Sequence, residues 1–179
     1  MKDRSKIESY LREAWTKRRE VKYDEARQLL TQAHRLCDEA DYQSLGRIFH
    51  VYAQFESDHD RHEKALAFCQ QSVMNYEKAG NPDRIAHSTR HMADLQRELG
   101  QDANAAGNYR AALVLYRENP HTDKVDLANA LRGFGLLLEK RNKMEEAITV
   151  WQETKELYLA CNLQDGVDEA NLRLEALAK

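Results

Sequence analysis

The chain has 179 residues, 42 % hydrophobic and 32 % charged, and only 7 Gly and 2 Pro interrupt it, so the composition predicts one helical domain. The formal net charge of −3, with both signs interspersed, argues against a general nucleic-acid binder, which usually carries a basic surplus. No apolar run approaches the roughly 18 residues of a membrane span, and the N-terminus lacks the apolar segment of a secretory signal. Three cysteines without paired spacing favour a reducing compartment, and we expect a cytoplasmic protein.

The hydrophobic periodicity predicts nine helices joined by short turns. Gly80 and Gly100 can take the left-handed conformation that ends a helix. Asp83 and Asp123 are the expected N-caps of the helices that follow the two prolines. The predicted helices span about 4–20, 23–40, 42–58, 62–79, 83–99, 102–118, 123–141, 144–161 and 165–178.

Small residues recur along the chain with a period of about 40 residues. In each predicted helix pair, one lies on the first helix and another lies twelve residues later on the second. Two antiparallel helices approach closely only where their contact residues lack bulk. A single hairpin cannot bury its apolar face alone, whereas stacked hairpins form a continuous core. The four pairs are Ala14 with Ala26, Ala53 with Ala65, Ala93 with Ala105, and Gly135 with Ala147.

This pattern resembles the tetratricopeptide repeat family, in which an Ala follows the first small residue by twelve positions and an aromatic residue comes four later. Ala93, Ala105 and Tyr109 fit it, and the fourth pair fits equally. The first repeat is degenerate, and the period is about 40 instead of the usual 34. The long period and the Asn-Pro-His-Thr-Asp segment at 119–123 are similar to the long-repeat subgroup that includes kinesin light chains.

The predicted fold class is all-α, a right-handed superhelical solenoid of four helix-turn-helix repeats with a C-terminal capping helix. We expect a single tetratricopeptide-like domain over residues 1–179. The capping helix, about 165–178, begins with a segment that echoes Val-Asp-Leu-Ala-Asn at 125–129. The predicted repeats span about 4–40, 42–79, 83–118 and 123–161.

In such a solenoid the first helix of each pair lines an inner, concave surface. Arg side chains there match carboxylates, and Asn can bond a peptide backbone. Clustered cations would repel one another until an anion binds, unless Asp94 and other neighbouring acids neutralise them. We therefore predict a non-catalytic protein–protein interaction module, and the family resemblance implies the same. Its partner would be a protein or peptide, with an acidic or carboxylate-bearing segment favoured. The predicted groove residues are Arg47, His50, Gln54, His87, Arg90, Asp94, Asn129 and Arg132.

Two alternatives belong to other functional classes. The groove could serve an enzyme or a sensor that takes a small anionic ligand or a metal. The chain could also be a structural homo-oligomerisation unit that pairs through its N-terminal repeat, with Leu11 and Trp15 buried between subunits. Light scattering and trials with peptides and small anions would separate these classes.

No catalytic or cofactor motif accompanies the repeats. His87 and His91 are spaced i, i+4, but no third ligand follows nearby in the sequence. No Gly-rich phosphate loop and no Ser/His/Asp arrangement is present. The sequence therefore predicts no enzyme activity, no metal and no cofactor.

Overall fold

The computed structural model describes residues 2–178, with side chains from Arg4 onward. These residues form nine α-helices and no strand, as predicted. Within the same range, no helix combines the length and the apolar character that crossing a membrane requires. The helices are α1 (Lys2–Arg19), α2 (Tyr23–Leu36), α3 (Tyr42–Ser57), α4 (His62–Lys78), α5 (Pro82–Glu98), α6 (Asp102–Glu118), α7 (Lys124–Lys140), α8 (Met144–Ala160) and α9 (Gln164–Leu177).

Helix α2 ends earlier than the sequence suggested, at Leu36 instead of about residue 40. The backbone turns extended at Cys37, with φ −78° and ψ 130°. Two aspartates then organise the turn. Asp38 Oδ1 accepts from the Ala40 amide at 2.8 Å, and Asp41 caps α3 by accepting from the Ser44 amide at 3.1 Å. The N-cap of α3 therefore keeps residues 37–41 in a turn. Hydrophobic periodicity alone predicts that α2 continues through most of this segment.

Three of the predicted helix boundaries are confirmed by their local geometry. Gly80 and Gly100 have φ of 64° and 73°, the left-handed region that glycine enters without a Cβ clash. Asp123 precedes α7, and its Oδ1 accepts from the Val125 amide at 2.8 Å. The turns at these positions thus follow from single residues.

The predicted N-cap at Asp83 is wrong. Helix α5 already begins at Pro82, so Asp83 lies inside its first turn. Asn81 precedes the helix, and its Oδ1 accepts from the Arg84 amide at 3.2 Å. Proline suits the first helical position because that position needs no amide donor.

The chain divides into two compact units, and the division falls inside α5, between Ser88 and Thr89. In unit 1, which ends at Ser88, α1 packs on α2 and α3 packs on α4. Leu11 is only 1 % exposed, because it lies in the core of this unit. It therefore cannot bury itself against a second subunit as the oligomerisation alternative assumed. The core of unit 1 comprises Ile7, Leu11, Ala14, Leu30, Ala33, Ile48 and Val51.

Unit 2, which begins at Thr89, continues the pattern of paired helices. Helix α7 packs on α6 and α8, and α9 packs on α8. Tyr109 and Trp151 are fully buried in this unit, and Val167 and Ala170 attach α9 to it. Leu172, on α9, is exposed, so this helix buries one face only. The single-domain expectation for residues 1–179 stays a prediction.

The small-residue pattern is confirmed as a packing device. All seven alanines of the four pairs are buried. At Gly135, the one pair position without Ala, a Cβ would lie 2.9 Å from Trp151 Cε2. The large indole of Trp151 thus requires the smallest residue on the facing helix, since interiors leave no spare volume.

Candidate functional site

Four of the predicted groove residues belong to unit 1, and the first of them, Arg47, is already paired. Arg47 Nη1 on α3 donates to Glu8 Oε2 on α1. Both side chains are about one-third exposed, so the pair lies at the protein surface. Arg47 therefore contributes little net positive charge to its surroundings.

His50, Gln54 and His87 form a second group in unit 1. The Nε2 atoms of His50 and Gln54 lie 2.8 Å apart, and Gln54 Oε1 accepts from Arg18 Nη1 at 2.9 Å. The rings of His50, on α3, and His87, on α5, have centroids 5.0 Å apart. Three of the predicted residues are thus in contact with one another, and Arg18 of α1 joins the group through its hydrogen bond to Gln54.

The other four predicted residues belong to unit 2, where Arg90 and Asp94 are bonded one turn apart on α5. Arg90 Nη1 donates to Asp94 Oδ2 at 2.9 Å, and Tyr109 Oη donates to Asp94 Oδ1 at 2.5 Å. Burial opposes the charge of Arg90, but Asp94, Tyr116 and Asp126 together outweigh it and raise the pKa of Arg90. Burial and Asp94 together raise the pKa of Tyr109, so this hydroxyl stays a donor. The Arg90 side chain is only 12 % exposed.

Arg132 is the most accessible Arg of the predicted set in unit 2. Its Nε and Nη2 donate to the two oxygens of Glu169 on α9, at 2.5 Å and 2.8 Å. This is the two-point geometry that a guanidinium makes with a carboxylate. The hydrogen bonding with Glu169 raises the pKa of Arg132. The Arg132 side chain keeps 43 % of its surface exposed.

Asn129 lies one turn before Arg132 on α7 and is held by a tyrosine. Tyr158 Oη donates to Asn129 Oδ1 at 2.8 Å. Burial raises the pKa of Tyr158, which keeps its hydroxyl protonated at neutral pH. This bond fixes the orientation of the Asn129 amide, because its oxygen is committed to one donor.

Asn129 and Arg132 line one open cavity of about 520 Å³ in unit 2. Helix α7 supplies one wall, and the turn before α9 and the first turns of α9 supply the other. The lining offers donors and acceptors of several kinds, which suits a peptide or a small polar ligand. The other lining residues are Tyr158, Asn162, Leu163, Gln164, Asp165, Gly166 and Glu169.

Of the two possibilities for the groove cations, mutual repulsion or neutralisation by neighbouring acids, the ion pairs favour neutralisation. Each of Arg47, Arg90 and Arg132 has its own carboxylate partner. A bound anion would therefore exchange with an acidic side chain of the chain, which is a weaker driving force than relief of crowded positive charge.

Two of the three partners, Glu8 and Glu169, were not predicted from the sequence, although Glu8 had a signal. Glu8 and Arg47 are 39 residues apart, which is the local repeat period, so they hold equal positions in successive repeats. Applying the equal-position rule to acidic residues as well as to cations would have paired them. Glu169 is 37 residues from Arg132, which matches no repeat period, so spacing gave no signal for it.

No family model matches the sequence, and no curated protein matches it. Solved structures do match. BtubC (BKLC) from P. vanneervenii has a TM-score of 0.71 at 15 % identity, covering 92 % of this chain and 76 % of that one. The TPR-like repeats of a putative kinesin light chain from Podosopora anserina have a TM-score of 0.70 at 13 % identity, covering 97 % and 95 %. The pilF protein of Pseudomonas aeruginosa has a TM-score of 0.50 at 11 % identity, covering 99 % and 94 %.

At these identities the likeness shows the fold. The chain has the all-α fold of tetratricopeptide-like repeat proteins, as the small-residue pattern predicted. Function is carried by sites on a fold and not by the fold itself, so the function of this chain depends on the residues of its own site.

Proposed function

We propose that this chain, with its tetratricopeptide-like fold, is a non-catalytic interaction module that binds a peptide segment of a partner protein. The supporting observation is the open cavity in unit 2 where the half-exposed guanidinium of Arg132 meets the oriented amide of Asn129. A peptide offers the matching groups, since its backbone has donors and acceptors and its side chains or C-terminus have carboxylates.

Arg132 would recognise a carboxylate by exchange. Glu169 already takes the Nε and Nη2 edge of the guanidinium, so a ligand carboxylate that binds this edge would take its place. The exchange costs little Coulomb energy, because one Arg–carboxylate pair replaces another. The preferred segment would therefore carry a carboxylate at one position, and it need not be acidic throughout.

Arg90 would support this site without touching the ligand. It is nearly buried and bonded to Asp94, so it has little surface to offer a ligand. Asp94 in turn acts electrostatically on Arg132, which places the two ion pairs within range of each other in unit 2. Arg90 and Asp94 would thus hold the local geometry and field while Arg132 and Asn129 make the contacts.

A selection of displayed peptides on the wild-type chain, followed by titration calorimetry with synthetic copies, tests the proposal. Arg132→Gln should weaken the binding of a selected peptide by about tenfold or more, the usual effect of losing a charge-assisted hydrogen bond. Glu169→Gln is the matched variant and should strengthen binding, because it removes the internal competitor. Arg90 is unsuitable for charge reversal, since an acid there would be buried beside Asp94.

Circular dichroism must first show that both variants keep the helical content of the wild type. Unchanged affinity in both folded variants would place the binding surface elsewhere. Weaker binding in Glu169→Gln would also contradict the exchange, since it would mean that Glu169 itself holds the peptide.

A further inference from the structure

Two histidines on different helices of unit 1 face each other. The ring centroids of His50, on α3, and His87, on α5, are 5.0 Å apart, and the planes are tilted by 52°. A ligand nitrogen of one ring lies within 4.8 Å of a ligand nitrogen of the other. His87 is half-buried and gives the pair access to solvent, while the ligand side of His50 is more deeply buried.

This separation fits a shared metal ion. Two imidazoles bound to one tetrahedral ion at 2.0–2.1 Å place their ring centroids about 5 Å apart. Small side-chain rotations would bring the nitrogens to the shorter separation that coordination needs. Imidazole nitrogen is a ligand that suits zinc, nickel and copper, and it does not suit magnesium or calcium.

Neighbouring polar groups already orient the His50 ring. Its Nε2 is bonded to the Gln54 amide, which Arg18 holds in turn. Its Nδ1 lies 3.4 Å from Ser88 Oγ. Metal ligands in proteins are oriented by such outer hydrogen bonds on the nitrogen that does not bind the ion. Coordination through Nε2 would displace the Gln54 amide, which can only donate there, and would leave the Nδ1–H of His50 to donate to Ser88 Oγ.

We propose that His50 and His87 form a binding site for a late first-row divalent metal ion, such as Ni²⁺ or Zn²⁺. Water or further ligands complete the coordination. The inference goes beyond peptide binding and does not depend on it, since it rests on unit 1 alone. Sequence spacing did not show the pair, because its ligands come from two helices and stand 37 positions apart.

The test is a calorimetric titration of NiCl₂, and separately ZnCl₂, into the untagged full chain after treatment with a chelator. We expect saturable binding at neutral pH that weakens as the pH falls, because protons compete with the ion for imidazole nitrogen. His50→Gln and His87→Gln should each weaken the affinity by at least about tenfold, since even changes to outer groups cost 10–100-fold.

His59→Gln is the matched control. His59 follows α3 and lies about 13 Å along the chain from His50 at the rise of a helix, and its ring stacks on Phe55. This variant should bind the ion as the wild type does. Absence of binding in the wild type overturns the proposal. Binding that survives in both folded variants, His50→Gln and His87→Gln, overturns it as well.

Discussion

Val21, in the turn after α1, has a backbone that its residue type opposes. Its φ is 62°, and its side chain is 68 % exposed. A β-branched residue is strained in the left-handed region, because its Cβ crowds the backbone. Later turns of the chain place Asp60, Gly100 and Asn142 at similar φ values. These residue types tolerate the left-handed conformation better than valine does.

We predict that Val21→Asn raises the free energy of unfolding by about 1 kcal/mol, the lower end of the usual cost of such strain. Urea denaturation followed by circular dichroism measures this. Asn142→Val is the reverse change at the matching turn and should lower stability. A Val21→Asn variant no more stable than the wild type would show that the turn is not strained.

His34 links stability to pH in unit 1. Its ring meets Phe49 and Tyr52 edge-on, with centroids 5.3 Å and 5.9 Å away. Burial lowers the pKa of His34 below the ordinary value of a histidine side chain. The unfolded chain therefore binds this proton more readily than the folded chain, so stability is lost as pH falls below about 6.5.

We predict that His34→Phe, which cannot be protonated, flattens the dependence of stability on pH between 7.5 and 5.5. Urea midpoints at several pH values measure the slope for both proteins. The wild type should lose stability towards the acidic end faster than the variant. Equal slopes would mean that His34 takes up its proton equally in the folded and unfolded states.

At the scale of elements, glycines on helices allow aromatic side chains to approach the backbone. At Gly133, on α7, a Cβ would lie 2.6 Å from Tyr109 Oη and 2.8 Å from Asp94 Oδ1. At Gly107, on α6, a Cβ would meet nothing within 4 Å. The first glycine makes room for the Tyr109–Asp94 hydrogen bond, and the second has no packing role.

Gly133→Ala should therefore destabilise the fold by about 1–3 kcal/mol, the usual cost of overpacking. Gly107→Ala should stabilise it by about 0.5–1 kcal/mol, because alanine is the better helix former. Thermal unfolding of both variants measures the contrast. A stabilising effect at Gly133 would contradict the close packing of Tyr109 on α7.

The elements were largely predictable, because helix periodicity and helix-ending glycines are local properties of the sequence. The early end of α2 was missed, since the cap made by Asp41 belongs to the next helix. The candidate site was predictable only in part. Residues on one helix, such as Arg90 and Asp94, follow from spacing, whereas the pairing of Arg132 with Glu169 depends on how α9 packs. Such long-range partners are set by tertiary packing.

At the scale of the whole molecule, the open question is which surface binds a partner. The net charge of −3 and the pairing of the groove cations leave no strong electrostatic preference. The competing surface is the N-terminal edge around Trp15, whose ring lies 4.8 Å from the guanidinium carbon of Arg18. Leu11 is buried beneath that edge, so Trp15 would have to bind with little apolar support.

The most direct test is a ¹⁵N–¹H spectrum of the side chains, recorded with and without a selected peptide. The Nε–H of Arg132, the amide group of Asn129 and the indole Nε1–H of Trp15 report on the two surfaces separately. We expect the Arg132 and Asn129 signals to move on peptide addition while the Trp15 signal stays in place. Shifts confined to Trp15, with Arg132 and Asn129 unchanged, would contradict it.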